Sequence, residues 1–545
     1  MSETSKAEIQ QKISFRESQE KEKLTLRKNK LFDKLFTKRK INSVTEEQNK
    51  NKNIINISSI SNNLEIISNP ELYIKTKFDI KNWFAYLFSK NNNQIKEALF
   101  LIELFVRKQN EELPPEQHIL SRNNYELINC LCQYLNHTDK QIAYYSCLII
   151  NNLAFFPYHI EKLIYTEKNL NEINLFFNRN DFQIGYEMIC LLINCTSNFE
   201  VKKYFVDNKI IERITFLINN NLNQLETRHY IYLIRLLCSI VKLFEECDEY
   251  SKDRIKDWFY RLFPFFKNTM KNNYVNNPWA KKSESDYYLK LLSFYCKLSL
   301  GDIKFIEDII KDDFVQILIE FFYKLNENNL CQMMEIFGEL LSNDDSINQT
   351  FINEGILGLL INEINRIEYK NIQLLNLILF ACSNIACGSK GQIEELFGQG
   401  LLWKAIDISS YYISQNIFNQ DIKNVIFNAI YTLNEAIIGG SNEVNTELMI
   451  YQDNLIIYIY DFFIKNILDE KNETKTLEQI GRAFHKLIIC GESDLDKEIL
   501  NKFRNKMISV GMEELFNNIL FNNDKNNVIQ YSFGMILQFL NEEDN

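Results

Sequence analysis

Residues able to do covalent chemistry are present in this chain, but their spacing does not assemble them. Five histidines, His118, His137, His159, His229 and His485, lie far apart, with no Ser or Cys motif beside them to make a nucleophile and its base. Twelve cysteines are scattered, mostly singly in apolar segments such as those around Cys147, Cys238, Cys296 and Cys382, where a reduced thiol fits as a small hydrophobe. The closer pairs Cys130/Cys132, Cys190/Cys195 and Cys382/Cys387 lack metal-ligand spacing and neighbouring His, so no metal site is expected. No Gly-rich phosphate loop occurs either. The expectation is a protein that is not an enzyme and needs no cofactor.

The chemistry on offer is that of charge. Residues 1–40 carry 12 Lys and Arg against 6 Asp and Glu, and the basic run LTLRKNKLFDKLFTKRK fills 24–40; the remaining residues carry 49 against 66. A basic arm tethered to an acidic body can fold back on it. The partners of the body are expected to be basic. Direct nucleic-acid binding is not expected, because neutralising phosphates needs a basic stripe that the body does not supply.

The elements that must position those charges are helices. Of 545 residues only 6 are Pro and 15 Gly, and no Pro follows Pro278, a scarcity of breakers that favours continuous helix stacking. Residues 41–70, rich in Asn, Ser and Ile and ending at Pro70, read as a flexible linker. From about 73 onward, helical segments alternate with Asn/Asp turns, as at 177–183, 219–228 and 521–527. No basic-apolar-small leader opens the chain, and no apolar run approaches the ~18–20 residues that span a bilayer, so an intracellular, soluble protein off the membrane is expected.

The body repeats. Segments reading CLIINNLAFF (147–156), ICLLINCTSN (189–198), RLLCSIVKLF (235–244), SFYCKLSLGD (293–302), IFGELLSNDD (336–345), FACSNIACGS (380–389) and YTLNEAIIGG (431–440) share one pattern, an apolar helix with a polar residue near its end. Their equivalent positions are Asn152, Asn194, Ser239, Lys297, Glu339, Asn384 and Glu435, spaced 42, 45, 58, 42, 45 and 51 apart. A period near 42 with insertions is that of armadillo or HEAT arrays, whose units bury their apolar faces only by stacking. The expected fold is all-α: an armadillo-repeat, right-handed superhelical solenoid preceded by a flexible basic arm. The domains would be an arm over 1–45, a linker over 46–72 and an array of about ten repeats over 73–545.

On these segments the chain resembles the importin-α family. FACSNIACGSKGQIEELFGQGLLWKAI (380–406) is similar to that family's seventh repeat, KEALFLIELFVRKQNEELPPEQHI (96–119) to its first, and the final unit, with its acidic tail, to its last. The arm resembles the second half of an importin-β-binding domain, with Leu24-x-Leu26-Arg27-Lys28 as the start and Lys38-Arg39-Lys40 as the closing triplet. The resemblance implies that Arg27, Lys28 and Lys30 meet acidic residues of importin-β. Leu24, Leu31 and Leu35 would line one helix face, and Lys38, Arg39 and Lys40 would mimic cargo in the chain's own groove. Arg16 is the one matching position in the first half of the arm.

The resemblance further implies a groove for a basic nuclear-localisation signal, where a Trp-x-x-x-Asn ladder holds an extended peptide: Asn bonds its backbone and aromatic rings flank its lysines. This chain breaks that ladder, since none of Trp83, Trp258, Trp279 or Trp403 has Asn four residues on. In the N-terminal, major site Asn152 and Asn194 remain, but Leu148, Cys190 and Arg235 stand at the family's Trp positions and Phe156 and Asn198 at its Gly and Asp. The C-terminal, minor site is closer: Phe380 with Asn384 keeps one aromatic–amide rung, Tyr431 with Glu435 makes a second, and Glu335 and Glu339 add charge one helical turn apart.

The implied function is a divergent nuclear import adaptor that carries signal-bearing cargo to importin-β, shuttles between cytoplasm and nucleus, and is recycled by an export receptor with Ran-GTP. Two alternatives fit the same residues: an importin-β-binding regulator that has lost classical cargo recognition, and a non-transport armadillo scaffold.

Overall fold

The computed structural model describes residues 85–109, 124–154, 166–177, 191, 193, 203, 204, 207, 210, 227–246, 249–277, 284–299, 306, 307, 310, 311, 313–415, 419–468, 473–523 and 525–541. All regular structure among them is helical. They form two compact units, divided at Leu298 and Ser299. The arm (1–45), the linker (46–72) and Asn194 lie outside the described residues.

The N-terminal unit contains α1 (Asn92–Gln109), α2 (Asn124–Tyr134), α3 (Lys140–Ala154), α4 (Glu167–Phe177), α5 (Thr227–Glu246), α6 (Glu249–Thr269) and α7 (Ser285–Ser299). Helix α3 packs against both α1 and α2, and α2 also meets α4. The second half of this unit is held by rings. Phe259 of α6 stands edge-on to Phe294 of α7 with centroids 4.6 Å apart, and Phe266 lies 5.2 Å from Tyr295, whose hydroxyl donates to the Phe259 carbonyl at 3.1 Å. Pro264 sits within α6. The helix then widens into a π-helical turn over Met270–Val275.

The C-terminal unit shows why the Asn-rich turns recur. After α8 (Phe314–Lys324) and α9 (Glu327–Leu341), three helices repeat four times: α10 (Asp345–Asn353), α11 (Ile356–Ile367) and α12 (Ile372–Ala386); α13 (Lys390–Gly398), α14 (Leu401–Gln415) and α15 (Gln420–Gly439); α16 (Asn442–Ile450), α17 (Leu455–Asn466) and α18 (Glu473–Asp494); and α19 (Lys497–Ser509), α20 (Met512–Asn522) and α21 (Asn527–Leu540). Three of the four third helices, α12, α15 and α21, begin on described asparagine caps. The side chains of Asn371, Asn419 and Asn526 each accept from backbone N–H groups two or three residues on, as Asn326 does for α9. Each such cap is worth about 1 kcal/mol, because it satisfies donors that the helix itself leaves unpaired.

The second helices begin on a left-handed residue. Gly355, Gly400 and Gly511 have φ of +91°, +79° and +81°, a conformation in which a Cβ is strained, and Asn454 takes the same place in the third repeat at +63°. This backbone kink turns the short first helix into the second. With the turns fixed, the third helices stack in one row, α9 on α12, α12 on α15, α15 on α18 and α18 on α21. Glu339, Asn384 and Glu435, matched by repeat spacing, fall on α9, α12 and α15. Helix α12 has a neighbour on either side, and its residues are buried continuously from Leu377 to its end at Ala386. Each Leu, Ile or Phe so buried contributes roughly 1.5–3 kcal/mol relative to exposure.

Candidate binding face of the C-terminal unit

Helical periodicity leaves a polar stripe along the row of third helices. On α9 it is half-exposed Gln332, Glu335 and Glu339; on α12 it is Gln373 and Asn376; on α15, Asn424 and Asn428; and on α18, Glu478, Gln479 and Arg482. Side chains in this stripe bond from helix to helix. The Asn428 Nδ2 donates to Asn376 Oδ1 at 2.6 Å, Gln479 Nε2 to Glu435 Oε1 at 2.8 Å, and Asn526 Nδ2 to Glu478 Oε1 at 2.8 Å. Beneath the stripe, the Thr432 hydroxyl reaches the Leu379 carbonyl at 3.3 Å. The result is a face of amides and carboxylates that offers acceptors to a cation and both donors and acceptors to a peptide backbone.

The predicted residues divide between that face and the core. Glu335 and Glu339 lie on the face, one turn apart and half-exposed. Phe380 does not: it is 3% exposed, and its ring lies over Gly338 of α9, where a Cβ would come within 2.6 Å of Cδ1. Asn384 is wholly buried, and its Nδ2 donates to the Gly338 carbonyl at 3.0 Å while its own carbonyl accepts from Asn348. The expected open aromatic–amide rung is therefore corrected. The missing side chain at Gly338 lets Phe380 and Asn384 sink between α9 and α12, where they hold two repeats together.

Tyr431 is corrected in the same way. It is 6% exposed, and burial first, then the neighbouring Cys387 and Glu435, push its phenol far above the usual range. Such a ring is structural and closed to a lysine. Glu435 stands at the margin of the face, 9% exposed and bonded by Gln479. In the N-terminal unit Asn152 is half-exposed on α3. Its companion Asn194 and the arm residues Arg16, Leu24, Leu26, Arg27, Lys28, Lys30, Leu35, Lys38, Arg39 and Lys40 lie outside the described residues. Asn376, Asn428 and Gln479 are among the members of the face that the sequence reading missed, with Gln332, Gln373, Asn424, Glu478 and Arg482. Asn376 could have been found, since it stands one helical turn before Phe380, on a helix otherwise apolar there.

Among the described residues, no group of three His, Cys, Asp or Glu is placed to hold a metal ion, and no helix is long and apolar enough to cross a membrane. Burial pushes the thiol of Cys130 up to about 11 and those of Cys238 and Cys382 up to about 12, so at neutral pH these cysteines are protonated and pack as small hydrophobes.

No protein-family model and no curated protein matches the chain. Solved structures do. A chain from a structure of the cadherin–β-catenin interaction matches with a TM-score of 0.53 at 10% identity, over 85% of this chain and 90% of that one. An engineered protein matches with a TM-score of 0.52 at 14% identity, over 85% of this chain and 99% of its own. A designed armadillo repeat protein aligns over 51% of this chain and 100% of its own, at 16% identity and a TM-score of 0.38. At such identities the likeness of the first two concerns fold alone, and together with the recurring helix triplets it supports an armadillo fold.

Proposed function

We propose that this chain is a peptide-binding armadillo scaffold that works as a divergent nuclear import adaptor. A lysine-rich segment lies along the third-helix face of the C-terminal unit, and the arm over 1–45 engages importin-β through Arg27, Lys28 and Lys30. The observation that carries the reading is the pair Glu335 and Glu339, half-exposed one turn apart on α9 and followed along the row by the Asn376–Asn428 amides. Carboxylates attract lysine ammonium groups, and side-chain amides bond an extended backbone. Glu435, bonded to Gln479, would extend the acidic stripe. The scaffold itself makes and breaks no bond. The resemblance of the arm adds shuttling between cytoplasm and nucleus, with return on an export receptor and Ran-GTP.

A second reading is favoured by one specific observation. Asn384, the residue that would hold classical cargo, spends its amide on the Gly338 carbonyl. The chain would then bind importin-β as a regulator without carrying a classical signal.

Binding of importin-β to the full chain, to a chain lacking 1–45 and to Arg27→Ala/Lys28→Ala tests the proposal. Tight binding that needs the arm and weakens in the double variant is expected. No binding to any of the three would leave a non-transport armadillo scaffold.

A further inference from the structure

Five non-glycine residues among the described ones have a left-handed φ, and all five lie in two loops: Glu368 and Tyr369 at 46° and 61°, and Gln452, Asp453 and Asn454 at 44°, 58° and 63°. Strain of this kind persists only where the surroundings hold it, and it gathers at ligand clamps. Both loops meet the second helix α14 around its middle carboxylate, Asp407: the later loop bonds the carboxylate itself, and the earlier one packs Tyr369 on Tyr411, one turn beyond it. The Asp407 Oδ1 accepts from the Tyr451 hydroxyl at 3.2 Å and from Gln452 Nε2 at 3.2 Å. Its charge also raises the phenols of Tyr369 and Tyr451, behind burial as the larger cause in each.

The rings are arranged in pairs on either side of the carboxylate. One turn before it, Trp403 stacks on Tyr451 with centroids 4.3 Å apart and planes at 25°; one turn after it, Tyr411 meets Tyr369 at 5.1 Å. The loops are pinned from outside the cluster. The buried Tyr412 hydroxyl donates to the Tyr369 carbonyl, and Lys502 pairs with Asp453 at 2.7 Å. The nearest cation in sequence to Tyr369 is Lys370, and it is taken by Glu368 at 2.6 Å.

Asp407 thus lacks an ion pair among the described residues, and of its two oxygens only Oδ1 is occupied. A guanidinium fork needs both oxygens, whereas an ammonium needs one acceptor and ring faces for its methylene stem. We infer that Asp407, with Trp403, Tyr411, Tyr369 and Tyr451 around it, is a receptor for one lysine side chain of a partner protein segment, on the second helix of its repeat and separate from the third-helix row. The ammonium bonds Oδ2 and the stem lies on the rings, as cation–aromatic recognition requires.

The test uses the full chain with its four tryptophan indoles labelled with nitrogen-15, Trp403 being assigned by its absence in Trp403→Phe. The probe is a blocked pentapeptide with one lysine between glycines, beside its acetyl-lysine, trimethyl-lysine and arginine forms. The lysine peptide is expected to move the Trp403 signal saturably while Trp258, buried in the other unit, stays still. Asp407→Asn, which keeps an oxygen for Tyr451, and Tyr411→Ala, at an exposed ring, should each weaken the response about tenfold, a change of about 1.4 kcal/mol. An unmoved Trp403 signal, an equal response to acetyl-lysine, a stronger response to arginine or trimethyl-lysine, or an unchanged affinity in Asp407→Asn would each overturn the inference.

Discussion

Asn152 on α3 and Asn384 on α12 hold equivalent positions in the sequence repeat, one in each unit, and the structure treats them differently. Asn152 is half-exposed, whereas Asn384 is wholly buried and bonded to the backbone of the preceding third helix. The residue type is the same, so the difference lies in what faces it. Opposite Asn384 stands Gly338, whose missing Cβ leaves room for a ring and exposes a carbonyl to the amide. A repeat position therefore becomes a surface amide or an internal bolt according to the neighbouring repeat, and a residue ladder read along the sequence says nothing of that neighbour.

Mutations can break that comparison, and the largest effect is expected at Phe380. Removing its ring in Phe380→Ala should cost about 3–5 kcal/mol by leaving a cavity between α9 and α12. Chemical denaturation of the full chain checks this, and a loss below about 1 kcal/mol would mean that the ring is not core. Gly338→Ala gains helix propensity of about 1 kcal/mol but forces a Cβ against the Phe380 ring. With overpacking costing roughly 1–3 kcal/mol, the balance is expected to be a net loss of at most about 2 kcal/mol in the same experiment.

The pair Asn384→Ala and Asn152→Ala sharpens the contrast directly. The first should destabilise by about 1–3 kcal/mol, because it leaves the Gly338 carbonyl buried without its donor, and the second by no more than about 0.5 kcal/mol. Equal effects would erase the distinction between bolt and surface amide. Among the turns, Gly400→Ala should cost about 1 kcal/mol for a Cβ placed at φ +79°, whereas Asn454→Gly should be neutral or slightly stabilising.

The smallest effect concerns His485, packed edge-on against Tyr531 at 5.5 Å in the C-terminal unit. Burial lowers its imidazole below the ordinary value of about 6.5, against a smaller opposing pull from Glu492. A depressed histidine favours the folded state while it is neutral, so its contribution is present above the unfolded value and is lost as pH falls through and below that value. Denaturation midpoints at pH 7.5 and 5 should differ more for the native chain than for His485→Gln.

Much of the fold was legible in the sequence because its causes are local. The caps Asn371 and Asn419, the turn glycines Gly355 and Gly400, and the apolar run of α12 each act within a few residues. The third-helix positions Glu339, Asn384 and Glu435 were found from the shared pattern of the repeat segments and its spacing. The site was less legible. Phe380 and Tyr431 read as open rings, and both proved to be core, because their neighbours are distant in sequence: Phe380 lies over Gly338 and Tyr431 beside Cys387, 42 and 44 residues away. The Asn376–Asn428 pair was missed for the same reason, its partners being 52 residues apart. The Asp407 cluster drew no notice at all, since the loops around it come from positions 369 and 451 and its strain is a property of backbone angles.

The central claim is that the third-helix face of the C-terminal unit binds a lysine-rich segment through Glu335 and Glu339. Its most direct test is a titration of a lysine-rich localisation-signal peptide into the full chain carrying Lys38→Ala/Arg39→Ala/Lys40→Ala, so that the arm does not compete, with and without Glu335→Gln/Glu339→Gln. Saturable binding that weakens about tenfold or more in the double glutamine variant is predicted. Absence of saturable binding, or binding indifferent to both glutamates, would contradict the account.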